Sequence, residues 1–211
     1  MRKHRSFKHE QTELKEPKNK AGMYMAVFIA AVMILSIGGV FLSNPDSESD
    51  YTFNGYNFKS SNNLWITKID GKETAFYFLP EQVANLNVSE QALTIIKNSQ
   101  GLIVTSNSIQ DPESRLRALD IFKLDFKNAY LKAYPNKKAG IAFTQKAINS
   151  RLPVLTCDNS TYLFPVISVD FSNETNIKVD KDYCIIVSAA DEYSLLSLLD
   201  NLRYRILDIL K

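Results

Sequence analysis

Both histidines of the chain, His4 and His9, fall within its first nine residues, and its two cysteines, Cys157 and Cys184, lie far beyond them. Past position 9 there is no imidazole for a Ser-His-Asp or Cys-His hydrolase, for His-liganded zinc or for a general base. Two cysteines are too few for a Cys-rich metal centre. What remains is carboxylate, lysine and hydroxyl chemistry. A two-carboxylate hydrolase could draw on Asp158 and Asp170, or on Asp111, which follows the apolar run 102–105 at the place where α/β sheets hold ligands. The same residues have plainer uses, Asp111 as a helix N-cap, Asp158 in a turn and Asp170 as a strand-end charge. The chain has no Gly-rich phosphate loop, no G-x-G-x-x-G between strand and helix, and no S-x-x-K signature, so no cofactor is expected.

These groups are sorted by a membrane segment. Residues 23–42 run for twenty positions without a charge, and a helix of that length matches a hydrocarbon core of about 30 Å. Asn44-Pro45 then stops it. Residues 1–22 carry seven Lys/Arg against three Glu, whereas Asp46, Glu48 and Asp50 follow the segment and no cation appears before Lys59. Positive flanks stay inside, so the expectation is a cytoplasmic basic tail at 1–22, a transmembrane helix at 23–42, a polar linker at 43–50 and an extracytoplasmic domain at 51–211. A cleaved signal peptide would have a shorter apolar region and a small-residue cleavage site. A pilin-type leader before Lys20-Ala21-Gly22 would carry an early acidic residue and continue as a stalk.

Of 25 basic and 23 acidic residues, 18 and 20 lie beyond the tail. That slightly acidic domain offers no basic footprint for nucleic acid. Outside the cell, Cys157 and Cys184 read as a disulfide between two strands, with a reactive or intermolecular thiol as the alternative. Asn87, Asn159 and Asn173 each open an Asn-x-Ser/Thr triplet beyond the span and are candidate glycosylation sites on loops or caps.

The elements that must position these residues follow from periodicity. Short aromatic and β-branched runs at 51–58, 64–69 and 73–79, separated by Asn54-Gly55, Ser60 to Asn63 and Asp70-Gly71, predict an antiparallel meander. Ser89 caps a short helix ending near Lys97, and 102–105 is an uninterrupted apolar run, as in a strand buried on both faces. Asp111-Pro112 opens an amphipathic helix whose stripe is Leu116, Leu119, Phe122, Phe126 and Tyr130; with a strand at 140–144 it makes a right-handed βαβ unit. Strands follow at 153–157, 164–171 and 183–188, with 176–179 a short edge. The chain closes with a helix burying Leu195, Leu199, Leu202, Ile206 and Ile209 and turning Asp200, Arg203 and Asp208 to water. The class is α/β or α+β, a transmembrane helix followed by one mixed-sheet domain with an N-terminal meander, a βαβ unit and a C-terminal helix.

The blocks Pro153-Val154-Leu155-Thr156-Cys157-Asp158-Asn159, Tyr183-Cys184-Ile185-Ile186 and Leu199-Asp200-Asn201-Leu202-Arg203-Tyr204, with Phe78-Leu79-Pro80-Glu81 after a hairpin containing Trp65, resemble a group of uncharacterised single-span archaeal membrane proteins from small-genome lineages. The resemblance implies a cell-surface anchor and a Cys157 to Cys184 bond. The expectation is a membrane-anchored, noncatalytic binding or assembly module. Its partners are the lipid bilayer and another membrane or surface protein, with no nucleic acid. A carboxylate-dependent hydrolase of envelope polymers is the alternative, and a pilin-like filament subunit a second.

Overall fold

The computed structural model describes residues 51–107, 112–146, 151–181 and 183–211, together with Tyr24, Met25, 27–29, Val32 and Met33. The chain divides into two units, Met1–Ser47 and Glu48–Lys211. In the first, the seven described residues are helical and carry exposed apolar side chains. Among the described residues no helix is long and apolar enough to cross a membrane. Most of segment 23–42, all of the tail with His4 and His9, and the linker 43–50 lie outside the described residues, as does Asp111.

The second unit opens with β1 (Tyr51–Phe53), β2 (Tyr56–Ser61), β3 (Leu64–Ile69) and β4 (Lys72–Phe76), an antiparallel sheet in that order. Its turns are Asn54-Gly55, Asn62-Asn63 and Asp70-Gly71, all six residues at positive φ. Two-residue hairpins require that backbone, and Asn, Asp and Gly adopt it most readily. The meander therefore has four strands rather than three, because Asn54-Gly55 cuts the run 51–58 into a hairpin of its own.

A helical turn α1 (Pro80–Val83) and helix α2 (Glu90–Asn98) follow, the latter capped by Ser89, whose Oγ accepts the Ala92 N–H at 3.4 Å. Then come β5 (Gly101–Ser106), α3 (Glu113–Ala133), β6 (Lys138–Phe143), a 3-10 turn (Cys157–Asn159), β7 (Val166–Phe171), β8 (Asn176–Val179), β9 (Ile185–Ala189) and α4 (Glu192–Ile206). They build a second sheet in the order β6-β5-β7-β9-β8, parallel except for the edge strand β8. The fold is thus mixed α/β with two sheets and a C-terminal helix, where one mixed sheet was expected. The segment 153–157 is not a strand: Val154 makes one isolated bridge to Phe143 and the chain then tightens into the 3-10 turn.

Parallel strands pair residues of the same face. Leu102 and Val104 of β5, Ile167 and Val169 of β7, and Ile185, Val187 and Ala189 of β9 join one core with Leu119, Phe122, Phe126 and Tyr130 of α3 and Leu195, Leu198, Leu199 and Leu202 of α4. Helix α4 also serves the meander, since Tyr204 stacks on Phe76 at 4.2 Å and meets Phe58 edge-on at 6.0 Å. One amphipathic helix thereby closes both sheets.

Asp200 and Arg203, expected at the surface, are buried on this helix. Asp200 accepts the Tyr77 and Phe78 N–H groups at 2.6 and 2.9 Å and Arg203 Nη1 at 2.9 Å, while Arg203 Nη2 donates to Ala75 O at 2.6 Å. Tyr204 Oη donates to Phe78 O and Asn201 Nδ2 to Val83 O, both at 2.6 Å. The backbone leaving β4 has no strand partner, and the polar face of α4 supplies its hydrogen bonds. Asp208 alone of the three is exposed.

Candidate functional site

The sheet face turned away from α3 and α4 is polar toward the carboxyl ends of its parallel strands. Alternation fixes which residues lie there: if Val104, Ile167 and Val187 face the helices, Thr105, Ser168 and Ser188 face the other way. Register then aligns them. Thr105 pairs with Ser168, Asp170 with Ser188, and Ser188 with Asn176. Asn107 and Thr144 extend the ladder one residue beyond β5 and β6, where the Thr144 N–H donates to Ser106 O at 3.2 Å. The result is a cross-sheet row, Thr144, Asn107, Asp170, Ser188 and Asn176, with Thr105 and Ser168 one step below it.

Five buried side-chain oxygens at this edge lack a hydrogen-bond partner: Thr105 Oγ1, Asn107 Oδ1, Thr144 Oγ1 and Asn176 Oδ1 on the row's face, and Ser106 Oγ on the helix side. Such atoms are rare in folded proteins and are normally completed by water or a ligand. Thr105 is fully buried and Ser168 and Ser188 nearly so, whereas Asn107, Thr144, Asp170 and Asn176 are half-buried and open the row at the rim. Ser168 Oγ donates to Asp170 Oδ2 at 3.4 Å. The topology marks the same spot: β5 is followed by β6 on one side and β7 on the other, so the chain changes winding direction between β5 and β7. In open α/β sheets such a switch point, at the carboxyl ends of the strands, is where ligands bind.

Chemically the row is a set of hydroxyls and amide oxygens around one carboxylate. It can hold and orient a polar molecule. Among the described residues no group of three His, Cys, Asp or Glu comes together to hold a metal. A perturbed carboxyl lies elsewhere: burial pushes Asp200 up to about 6 against the opposing pull of Arg203 and two backbone N–H groups. With its oxygens fully occupied by the protein itself, Asp200 is part of the framework rather than a reactive acid.

Asp170, chosen from sequence as a strand-end charge or a catalytic carboxylate, sits in the row. Asp158 does not. It is exposed in the 3-10 turn beside Cys157, which is bonded to Cys184 just before β9, with Cα atoms 5.2 Å apart. From Cys184 to Ser188, the partner of Asp170, is about 13 Å of strand. The two carboxylates are thus tied to opposite ends of the β7 and β9 pairing, which gives the approach needed for two-carboxylate hydrolysis no support.

The disulfide joins the 3-10 turn to the β8-to-β9 turn rather than two strands, and it staples the long β6-to-β7 connection onto the sheet. Tyr183, at φ 67°, sets its ring edge-on to Tyr162 at 5.5 Å beside the bond. Asn87, Asn159 and Asn173 are all exposed on connections. Sequence reading missed Thr105, Asn107, Thr144, Ser168, Ser188 and Asn176; their signal was a hydroxyl or amide recurring at the end of each apolar strand. Compared with known proteins, the chain matches no family model, no curated protein and no solved structure.

Proposed function

We propose that this chain is a membrane-anchored, noncatalytic binding module that takes a small polar ligand at the carboxyl edge of its parallel sheet. The observation that carries the reading is the cluster of unpartnered oxygens of Thr105, Asn107, Thr144 and Asn176 at the point where the strand order reverses. Anchoring is supported by the uncharged stretch 23–42 behind a basic tail and by exposed apolar side chains on its described helical residues. In this reading the tail is cytoplasmic and the domain faces outward, where the cystine is stable and the three Asn-x-Ser/Thr triplets are accessible. A row of hydroxyls and amides without an imidazole favours binding over turnover.

The test uses the full chain in detergent. Thermal unfolding is followed against a library of small polar compounds, for the native protein and for Asn107→Leu combined with Thr105→Val. A compound that raises the melting temperature of the native protein and not of the double variant supports the reading. A library without any such compound, or product formation from one of them, overturns it.

A further inference from the structure

The amino edge of the second sheet, opposite the polar row, carries an ordered pattern of charge. Strand order β6-β5-β7-β9-β8 places Lys138, Gln100, Leu163, Tyr183 and Asp180 along it in that sequence, the antiparallel β8 ending there, with β7 in the middle. The backbone ties these positions together. Gly101 pairs with Lys138, the Gln100 and Gly101 N–H groups donate to Leu163 O at 3.0 and 3.2 Å, and the Asp180 N–H donates to Cys184 O at 2.9 Å. Lys137 and Lys138 make the β6 end basic, whereas Asp158, beside the cystine, and Asp180 make the other end acidic, with Lys181 the exception among the described residues. Lys138 and Asp180 are exposed, and neither forms an ion pair among the described residues. Four steps of about 4.8 Å set them about 19 Å apart, beyond the reach of mutual neutralisation in salt. Between them the edge is apolar: Tyr162, Leu163 and Tyr183 expose 56%, 43% and 42% of their surface. Tyr183 is held at φ 67°, a backbone that a bulky residue adopts only under constraint, with the cystine next to it. A contiguous, fixed apolar group of this kind marks an interaction surface.

We propose that this edge binds a second copy of the chain, edge to edge, about a two-fold axis normal to the sheet at the amino end of β7. A surface that is basic at one end, apolar in the middle and acidic at the other is complementary to itself once reversed. The axis sets β7 against β7, β5 against β9 and β6 against β8. Leu163 then meets its own counterpart, and Lys138 faces the partner subunit's Asp180 at both ends of the contact. Tyr183 falls opposite the start of the partner's β5, where a cavity of about 320 Å³ lined by Gln100, Asn136 and Phe164 is open to an aromatic side chain. An axis running along the edge would instead set lysine on lysine and aspartate on aspartate. The contact lies at the far end of the strands from the proposed ligand site and does not depend on it.

The experiment measures the mass of the full chain in detergent by sedimentation over a range of protein concentrations. It compares the native protein, Lys138→Asp, Asp180→Lys, an equimolar mixture of those two variants, and Leu163→Asp. The native protein is expected to form a dimer. Each charge reversal spoils two symmetry-related pairs and should weaken association about tenfold. Mixing the two reversed proteins should restore it, because both pairs of the mixed dimer are again of opposite sign. Leu163→Asp brings two carboxylates together at the axis and should leave monomer with an unchanged circular dichroism spectrum. A native chain that stays monomeric, a dimer indifferent to the three substitutions, or a mixture that associates no better than its components overturns the proposal.

Discussion

Replacing Asp200 by asparagine tests whether burial or pairing governs the framework that joins α4 to the meander. Asp200 is fully buried and its carboxyl is raised to about 6, chiefly by desolvation. A carboxyl raised on folding holds its proton more tightly in the folded than in the unfolded chain. Its contribution to stability is therefore largest below about pH 4 and declines as pH rises to about 6. A displacement of about two pH units corresponds to about 3 kcal/mol. The amide introduced by Asp200→Asn does not titrate, so the stability gap between native protein and variant should move in the variant's favour by that amount between pH 4 and pH 7.5. For a folded part of this length it is a change of about 6 to 12 °C in the difference of melting temperatures. Asp191, held low by the Ser194 N–H, acts with the opposite sign, losing its stabilisation as pH falls; it is present in both proteins and cancels in the difference. The assay is thermal unfolding of the full chain in detergent, read by fluorescence of Trp65, the single tryptophan, which lies in β3. A gap that stays constant, or widens toward the native protein as pH rises, would refute the reasoning. It would mean that Arg203 and the two backbone N–H groups outweigh burial.

Three further outcomes follow from the same geometry. Arg203→Met removes the bonds to Asp200 and Ala75 O and the guanidinium stacked 4.4 Å over Phe76, leaving a carboxylate buried without its counter-charge; the expected loss is about 3 to 5 kcal/mol in urea unfolding. Cys157→Ser with Cys184→Ser opens a loop of 27 residues and should cost about 3 kcal/mol relative to the oxidised protein. A thiol assay of the unfolded native chain should find no free sulfhydryl before reduction. Gly101→Ala places a Cβ 2.6 Å from Lys138 O and 2.7 Å from the Phe164 ring, so it should lower the urea midpoint by the equivalent of about 1 to 3 kcal/mol. Gly140→Ala, whose Cβ would come no nearer than 3.8 Å to Ile103, is the control and should be tolerated.

Much of the fold was legible because its signals are local. Asn54-Gly55 and Asp70-Gly71 write hairpins, Ser89 writes a helix start, and the unbroken apolar run around Val104 writes a strand covered on both sides. The strand at 153–157 was misread because Pro153-Val154-Leu155 has strand composition, yet beyond Phe143 it finds only one bridging position. Asp200 and Arg203 were placed in water because charges on an amphipathic helix usually face it. Their burial depends on the unpaired backbone after β4 arriving from over a hundred residues away, which no local window contains. The row was illegible for a related reason: a serine or asparagine at a strand end is ordinary alone, and only the sheet order brings residues from five strands onto one line.

The two polar assemblies of the domain also differ in a way that bears on function. Around Asp200 the carboxylate oxygens and the neighbouring backbone groups are paired within the protein, and one atom of the assembly, Arg203 Nε, is left without a partner. Along the sheet edge, Thr105, Ser106, Asn107, Thr144 and Asn176 each leave an oxygen buried and unpaired. An unsatisfied buried group costs about 1 to 3 kcal/mol, and domains hold only about 5 to 15 kcal/mol of net stability. Several such groups at one sheet edge weigh heavily against so small a margin, and valine or leucine at those positions would remove the cost. The chain nevertheless carries them at the end of the sheet where the strand order reverses between β5 and β7. Tyr51 Oη, Thr67 Oγ1 and Arg203 Nε are unpaired elsewhere, so it is the clustering at the switch point that sets this edge apart, and it makes the stability of Thr105→Val as informative as its affinity.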